Sequence, residues 1–312
     1  MATSTTIDWN GDSTSSLVSI GTRKLFLRAQ GPPRLLGQPV VVVEAGIGDD
    51  HRTWTAVSAL ISKHSRVYTY DRAGANNSRS YPGPDPRTAS AMAADLSSLL
   101  AAAEVPGPYV IACHSYGGLI AREFLALRGE EVVGMVFVDT NSENTRREVP
   151  LPMEAFGAVA KGLDYYQIVG LDRDHKLDPG LWKSIKGDSG ASEQEHHGEE
   201  ISFRELREKR QFERRAMGDR PVVVIRGDTP RDFRAFSDVA VEKGNGSEED
   251  REKMLRFVEA LDEKDEGLQR EQLLLSSRSR FVQAEKSGHN VQITEPELVA
   301  AEIEKVLKEI RG

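Results

Sequence analysis

The stretch that decides the fold runs from Tyr109 to Gly118 and reads YVIACHSYGG. An apolar run typical of a buried strand leads directly into Ser115, and apolar residues at helical spacing follow it. Small residues at Cys113 and Gly117 flank the serine, as a sharp strand-to-helix turn requires, because such a turn leaves no room for larger side chains. The turn exposes a hydroxyl at the positive end of the following helix. We therefore predict that Ser115 is a nucleophile.

Short apolar runs alternate with amphipathic stretches on both sides of this turn, which is the pattern of βαβ units. The predicted strands are residues 17–20, 25–27, 40–43, 66–70, 109–112, 132–138, 221–225 and 280–284. Apolar residues at helical spacing predict helices over 92–103, over 119–127 and after Thr294 and Pro296. The fold class that we predict is α/β, with a mostly parallel central sheet and helices on both faces.

This alternation stops near Thr140 and resumes near Pro221. The segment between them is richer in charge, glycine and proline, with scattered aromatic residues and no convincing strand. We interpret it as a helical insertion and not as a second independent domain. The predicted organisation is a first part of the core over 1–140, a helical cap over 141–220 and a second part of the core over 221–312.

Composition and charge exclude several classes of function for these 312 residues. The 41 basic and 49 acidic residues leave a net charge of -8, whereas nucleic-acid and anionic-membrane binders need a basic footprint. The single cysteine, Cys113, excludes an intramolecular disulfide and a multi-cysteine zinc site, and we expect neither a metal nor a cofactor. No apolar run approaches the roughly 18 residues of a membrane span, and the first residues show no secretory pattern. We expect a cytoplasmic monomer or homodimer that acts on a small molecule.

Much of the acidity lies between Glu248 and Glu271, where ten acids and five bases give a net charge of -5. Met254, Phe257 and Leu261 are spaced to form one face of a helix in this segment. The segment is far in sequence from Ser115, and we predict that its charges form a solvated outer surface and carry no information about the substrate.

Three further segments, together with the turn at Ser115, resemble the α/β-hydrolase superfamily over nearly the whole chain. Residues 43–48 read VEAGIG after a buried strand, with Ala45 where such enzymes usually carry histidine. Residues 70–74 read YDRAG and match a turn that is common in the superfamily. Residues 287–290 read SGHN and precede the last helix, where the superfamily places its catalytic histidine. The resemblance implies the α/β-hydrolase fold and acyl-type chemistry at a triad.

The base of such a triad is expected to be His289, because a serine hydroxyl is a weak nucleophile until a neighbouring base accepts its proton. Among the seven histidines, His289 alone lies in the loop between the final predicted strand and helix. His114 is adjacent to Ser115 in the chain, so its side chain points away at the end of a strand, and we expect it to pack behind the turn.

The third member must be a carboxylate at the carboxyl end of a strand, and two such ends qualify. Asp139 follows the predicted strand 132–138, whereas Asp228 and Asp232 follow the next one. Members of the superfamily use either end, and the later strand more often. In this chain, however, Pro230 occupies the usual position of that later acid. We therefore choose Asp139 and keep Asp228 or Asp232 as the alternative.

The resemblance also implies an oxyanion hole formed by the backbone amides of Ile47 and Tyr116. Aromatic residues of the cap are candidates for a substrate pocket, and we single out Tyr165, Tyr166 and Trp182. The resulting hypothesis is a serine hydrolase that cleaves an ester, lactone or thioester of a small to medium apolar molecule. The alternatives are cyclisation or carbon–carbon bond cleavage at the same site in a biosynthetic pathway, an aminopeptidase, and a non-catalytic ligand-binding receptor on the same fold.

Overall fold

The structure is a computed structural model that describes residues 7–78, 86–187 and 193–312. Its strands are β1 (Thr14–Ser19), β2 (Lys24–Gln30), β3 (Val40–Glu44), β4 (Val67–Tyr70), β5 (Tyr109–His114), β6 (Val132–Val138), β7 (Val222–Arg226) and β8 (Ser279–Gln283). They form one sheet in the order β1-β2-β4-β3-β5-β6-β7-β8. The pairs β1–β2 and β2–β4 are antiparallel, and every other pair is parallel. The predicted mostly parallel sheet is confirmed.

The helices connect these strands in chain order. They are α1 (Thr55–Ile61), α2 (Ala89–Ala102), α3 (Gly117–Arg128), α4 (Thr145–Glu148), α5 (Met153–Ala160), α6 (Tyr165–Ile168), α7 (Leu171–Asp174), α8 (Pro179–Lys186), α9 (Glu193–Glu208), α10 (Thr229–Glu242), α11 (Glu248–Glu271), α12 (Val291–Thr294) and α13 (Pro296–Arg311). Short 3-10 turns lie at His51–Trp54, Asn76–Ser78, Gly129–Glu131 and Gln272–Leu275.

The central strands are buried on both faces of the sheet, which explains why they are continuous apolar runs and not alternating ones. All five residues of β3 are buried. Successive side chains of a strand point to opposite faces. Val42 accordingly packs in a cluster with Leu96 of α2 and residues of α3, and Val43 packs in a second cluster with Ile303 of α13 and residues of α1.

Between β6 and β7, the described residues form the helices α4 to α9. Of these, α5 packs against α10 and α11, which come from the second part of the chain. Val159 of α5 shares an apolar cluster with Phe236 of α10 and with Met254 and Phe257 of α11. The acidic segment is therefore a helix, as its spacing predicts, and its apolar face is buried against α5 and α10. The assignment of residues 141–220 as a cap stays a prediction.

Throughout residues 7–78, 86–187 and 193–312, none of the helices combines the length and the apolar character that crossing a membrane requires.

Candidate active site

The parallel strands β5, β6 and β7 are neighbours, and their carboxyl ends lie side by side next to Ser115. The Ser115 amide donates a hydrogen bond to the carbonyl oxygen of Val138 at 3.3 Å, and the Asp139 amide donates to that of Ile225 at 2.7 Å. Ser115 and Asp139 are the first residues beyond β5 and β6, and their φ angles are 53° and 44°. Positive φ is uncommon for residues other than glycine. Both side chains are thus held in sharp turns above neighbouring strands.

The turn at Ser115 depends on a glycine at the start of α3. A Cβ atom at Gly117 would lie 2.6 Å from the carbonyl oxygen of Ala45 and 2.7 Å from that of Glu44. Neither backbone oxygen can move aside easily, so a side chain here would push α3 away from β3. Glycine therefore allows the positive end of α3 to lie directly behind Ser115.

The structure brings Ser115, His289 and Asp139 together. Nε2 of His289 lies 3.0 Å from Oγ of Ser115, and Nδ1 of His289 lies 2.7 Å from Oδ2 of Asp139. Because a carboxylate can only accept a hydrogen bond, it favours the ring form in which Nδ1 carries the proton. In that form Nε2 is free to accept the proton of the Ser115 hydroxyl.

Asp139 is buried, and the loop after β7 supplies two of its hydrogen bonds. The Gly227 amide donates to Oδ1 at 2.8 Å, and the Thr229 hydroxyl donates to Oδ2. Oγ1 of Thr229 also lies 3.1 Å from Nδ1 of His289. Burial raises the pKa of Asp139, but the hydrogen bonds from His289, Thr229 and Gly227 together bring that pKa below its ordinary value of 3.8. The sequence did not single out Thr229, although its position directly after Asp228 would have placed it in this loop.

The two alternative acids have other partners. Asp228 accepts a hydrogen bond from the amide of Arg231 and so caps α10. Oδ2 of Asp232 accepts a hydrogen bond from the backbone amide of His289 at 2.9 Å, and Oδ1 lies 3.1 Å from the Arg231 guanidinium. Asp232 therefore fixes the backbone of the histidine loop, while Asp139 contacts the imidazole.

His289 is a stronger base than an isolated histidine. Burial lowers its pKa, but the hydrogen bond and charge of Asp139 and the charges of Asp232 and Asp49 outweigh that effect, so the pKa is above the ordinary value of 6.5. His114 behaves differently, because burial and the nearby His289 lower its pKa. Nε2 of His114 lies 2.9 Å from the His289 carbonyl oxygen, so His114 is packed behind the turn and supports the histidine loop.

The loop after β3 passes close to Ser115, where the resemblance places the oxyanion hole. A Cβ atom at Gly46 would lie 3.3 Å from the Cβ of Ser115. Ile47 and Tyr116 both line the cavity into which Ser115 opens. Their roles as oxyanion donors stay a prediction.

Arg72, from the turn after β4, holds this loop in place. Its guanidinium donates hydrogen bonds to the carbonyl oxygens of Ala45 at 2.8 Å and Gly46 at 2.5 Å, and to the Glu44 carboxylate at 2.9 Å. The hydroxyl of Tyr70 donates to the other oxygen of Glu44. The turn at 70–74 therefore fixes the backbone beside Ser115, and this contact was not evident from the sequence.

Ser115, Asp139 and His289 face a cavity of about 290 Å³. Its apolar lining comes from the loop after β3, the turn at Ser115, the segment after β6, and α6, α10 and α11, and consists of Ile47, Tyr116, Val149, Leu151, Tyr165, Phe233, Phe257, Leu261 and Leu268. Tyr165 is one of the three predicted pocket residues, and its contact with a substrate stays a prediction.

Tyr166 and Trp182, the other two predicted pocket residues, are not among the residues that line this cavity. Their rings meet edge to face at 5.2 Å, and Trp182 also stacks on His175 at 4.6 Å. With Leu171 they pack in an apolar cluster that contacts Ile293 of α12. Their aromatic surface packs α7 and α8 against α12.

The acidic helix α11 lines the cavity, which corrects the interpretation of its charges as a solvated outer surface. Asp265 and Gln269 line the cavity beside Leu261 and Leu268. Burial and the charge of Asp139 raise the pKa of Asp265 to about 7. The apolar face of α11 is visible in the sequence. That Asp265 and Gln269, next to this face, line the cavity is visible only in the packed structure.

One group of side chains in the described ranges has the geometry of a metal site. The ligand atoms of Asp50, His51 and Asp71 lie within 4.8 Å of one another. Protein donors already contact these carboxylates, since Arg52 binds Asp50 and the Asn77 amide binds Asp71. His51 Nδ1 itself lies 2.6 Å from Oδ1 of Asp71. The arrangement is a hydrogen-bonded network that fixes this loop, and we assign it no ligand.

Known proteins resemble this chain in sequence and in fold. A family described as "Alpha/beta hydrolase family" matches residues 40–302. An "AB hydrolase superfamily protein" of Gibberella zeae is 38% identical over 304 residues, which are 93% of this chain and 92% of that protein. The "Probable transporter efuK" of Hormonema carpetanum is 36% identical over 303 residues, and the match spans 95% of this chain but only 43% of that relative.

Among solved structures, an enol-lactonase from Burkholderia xenovorans LB400 superposes with a TM-score of 0.58. The match covers 94% of this chain and 100% of that chain, at 16% sequence identity. At this identity the likeness concerns the fold alone.

Proposed function

This chain belongs to the alpha/beta hydrolase family, and on that premise we propose that it is a serine hydrolase that cleaves an ester, lactone or thioester of a small to medium apolar molecule. The observation that carries the proposal is the 3.0 Å contact between Oγ of Ser115 and Nε2 of His289. A serine hydroxyl becomes an effective nucleophile when a base at this distance accepts its proton.

The proposed reaction proceeds through an acyl-enzyme. Oγ of Ser115 attacks the carbonyl carbon while His289 accepts the hydroxyl proton. His289 then donates that proton to the leaving alcohol or thiol, and the acyl group stays on Ser115. A water molecule, activated in the same way by His289, releases the acid. Asp139 keeps the imidazole in the required tautomer and stabilises its charged form, a role supported by the 2.7 Å contact with Nδ1.

The developing oxyanion needs donors that are fixed before the reaction, and losing one such donor typically lowers the rate by about 10²-fold or more. We assign this role to the backbone amides of Ile47 and Tyr116, which line the cavity beside Ser115. Arg72 supports the assignment because it binds the carbonyl oxygens of Ala45 and Gly46, immediately before Ile47.

We further propose that residues 141–220 form a cap over Ser115, together with α10 and α11. The support is that residues of both parts line the cavity. Val149, Leu151 and Tyr165 come from the segment 141–220, and Phe257 and Leu261 come from α11. A cavity of about 290 Å³ with mostly apolar walls suits a small substrate.

The test is labelling by a fluorophosphonate probe, which reacts with activated serines. The wild-type protein should be labelled, Ser115→Ala should not, and Ser98→Ala, which removes an exposed serine of α2, should be labelled like the wild type. A screen of nitrophenyl esters, lactones and thioesters should show turnover that Ser115→Ala abolishes. A protein that is neither labelled nor active on any of these substrates would instead be a non-catalytic binder on the same fold.

A further inference from the structure

The cavity beside Ser115 is lined by carboxylates that each have a basic partner. Apart from Asp139, the acids in its lining are Glu199, Asp232 and Asp265. The ion pairs are Glu199 with Arg146 at 3.1 Å, Asp232 with Arg231 at 3.1 Å and Asp265 with Arg226 at 2.7 Å. Because an arginine already faces each of these acids, an ammonium group on a substrate would meet little net negative charge. A neutral polar group suits this lining better.

Asp265 differs from the other two acids because only one of its two carboxylate oxygens accepts a hydrogen bond from a described residue. Asp232 uses Oδ2 for the His289 amide and Oδ1 for Arg231, and Glu199 offers both oxygens to Arg146. Asp265 receives one hydrogen bond, from Nε of Arg226 to Oδ2. No residue in the described part of the chain donates to its Oδ1. The side chain is nevertheless only 8% exposed.

Because Asp265 lines the cavity, its Oδ1 is open to a donor that enters from there, such as a hydroxyl group of a ligand or a water molecule. Leu261 and Leu268 flank Asp265 in the lining of the cavity, and water competes poorly for hydrogen bonds among apolar side chains. A hydrogen bond formed by a ligand to Oδ1 is therefore stronger than the same bond in water. Arg226, held by Asp265 and by Oε1 of Gln283, fixes the direction of the carboxylate.

Resting on the proposed hydrolase function, we propose that Asp265 determines specificity by accepting a hydrogen bond from a substrate hydroxyl group to its Oδ1. The substrate class is then a hydroxylated ester, lactone or thioester, whose reacting carbonyl lies at Ser115 and whose hydroxyl group meets α11. A substrate without that hydroxyl leaves this hydrogen bond to Oδ1 unmade, and such a missing bond lets an enzyme discriminate between substrates.

The experiment compares nitrophenyl hexanoate with esters that carry a hydroxyl or an amino group at the second, third or terminal carbon. At a pH above 7, where the Asp265 carboxyl is ionised, the wild type should prefer at least one hydroxylated ester over hexanoate by about 10- to 100-fold in kcat/KM, the range expected for a hydrogen bond to a charged group. Asp265→Asn should reduce this preference, because its amide oxygen is held by Arg226 and its NH₂ group turns towards the cavity. Asp265→Leu should abolish it.

Turnover of hexanoate separates the failure of this proposal from the failure of the hydrolase function. Glu263→Gln, at an exposed position of α11, is the matched control and should keep the wild-type preference. The proposal is overturned if the wild type hydrolyses hexanoate without preferring any hydroxylated ester, or if an amino ester is preferred. An equal loss of both activities in Asp265→Asn also overturns it. If Ser115 is not labelled and no ester reacts, the hydrolase function fails and this inference with it.

Discussion

The hydroxyl of Thr229 donates a hydrogen bond to Oδ2 of Asp139. This is the same carboxylate oxygen that lies 2.7 Å from Nδ1 of His289. Thr229 is the first residue of α10 and comes from the loop after β7, whereas Asp139 follows β6. The end of β6 therefore supplies the carboxylate, and the end of β7 supplies a hydroxyl group that donates a hydrogen bond to it.

Replacing Thr229 with valine should weaken hydrolysis without removing it. Valine has nearly the same shape but no donor, so Asp139 loses one of the hydrogen bonds that lower its pKa. We expect kcat to fall by about tenfold, the kinetic equivalent of one hydrogen bond, with little change in KM. Thr229→Ser keeps a hydroxyl and should restore most of the rate. Equal activity of the valine and serine variants would show that the hydroxyl has no positioning role.

Replacing each candidate acid separately should single out Asp139. Asp139→Asn favours the wrong tautomer of His289 and should lower kcat by about 10⁴-fold, as the loss of a triad acid does elsewhere. Asp228→Asn should keep near wild-type kcat, because Asp228 caps α10 and does not contact the imidazole. The check is steady-state kinetics on one ester. The assignment is wrong if Asp139→Asn retains its rate and Asp228→Asn loses it.

The pH profile should report the raised pKa of His289. Hydrolysis needs the neutral imidazole, so kcat/KM falls as the pH drops through that pKa. Burial alone would lower it, but Asp139 and Asp232 together raise it above 6.5. The midpoint of the acid limb should therefore lie above pH 6.5. Asp232→Asn keeps an acceptor for the His289 amide but removes a negative charge, so it should shift the midpoint to lower pH. A wild-type midpoint below pH 6.5 would contradict this.

The raised pKa of His289 also makes the stability of the fold depend on pH. A histidine whose pKa is higher in the folded state binds its proton more tightly there, so the proton stabilises the fold. For His289 this stabilisation is complete below its ordinary pKa of 6.5 and disappears as the pH rises through the raised value.

The strands were predictable because each leaves a local signal. Runs such as 40–43 and 132–138 are apolar throughout, as strands buried on both faces must be, and they become β3 and β6. Ser115 and His289 were also found from local sequence, since each lies in a short segment of small residues between a strand and a helix. The structure places the two side chains in contact across 174 positions of the chain.

The parts that the sequence did not reveal depend on packing between distant segments. Thr229 contacts Asp139 from 90 positions away, and although its place after Asp228 puts it in the loop after β7, the local sequence does not show that its hydroxyl binds Asp139. Asp265 lies in a helix with many charges, and only the packing of α11 on α5 and α10 turns this one residue towards the cavity. Tyr166 and Trp182 were aromatic candidates of the same kind as Tyr165, but of the three only Tyr165 is among the residues that line the cavity.

Two glycine substitutions should have opposite effects, which tests how closely the histidine loop is held. A Cβ atom at Gly227 would lie 2.1 Å from the backbone oxygen of Gly288, so Gly227→Ala must displace the loop that carries His289. A shift of about 1 Å can lower a rate by about 10²-fold, because the reacting groups lose their alignment. We therefore expect Gly227→Ala to lower both kcat and the melting temperature.

At Gly267 of α11 no atom lies within 4 Å of the added Cβ, and Gly267→Ala should stabilise the fold by ~0.5–1 kcal/mol with unchanged kcat. Thermal unfolding and ester hydrolysis of both variants provide the measurement. Wild-type kcat in a folded Gly227→Ala protein would mean that the contact between Gly227 and Gly288 does not set the position of His289 relative to Ser115.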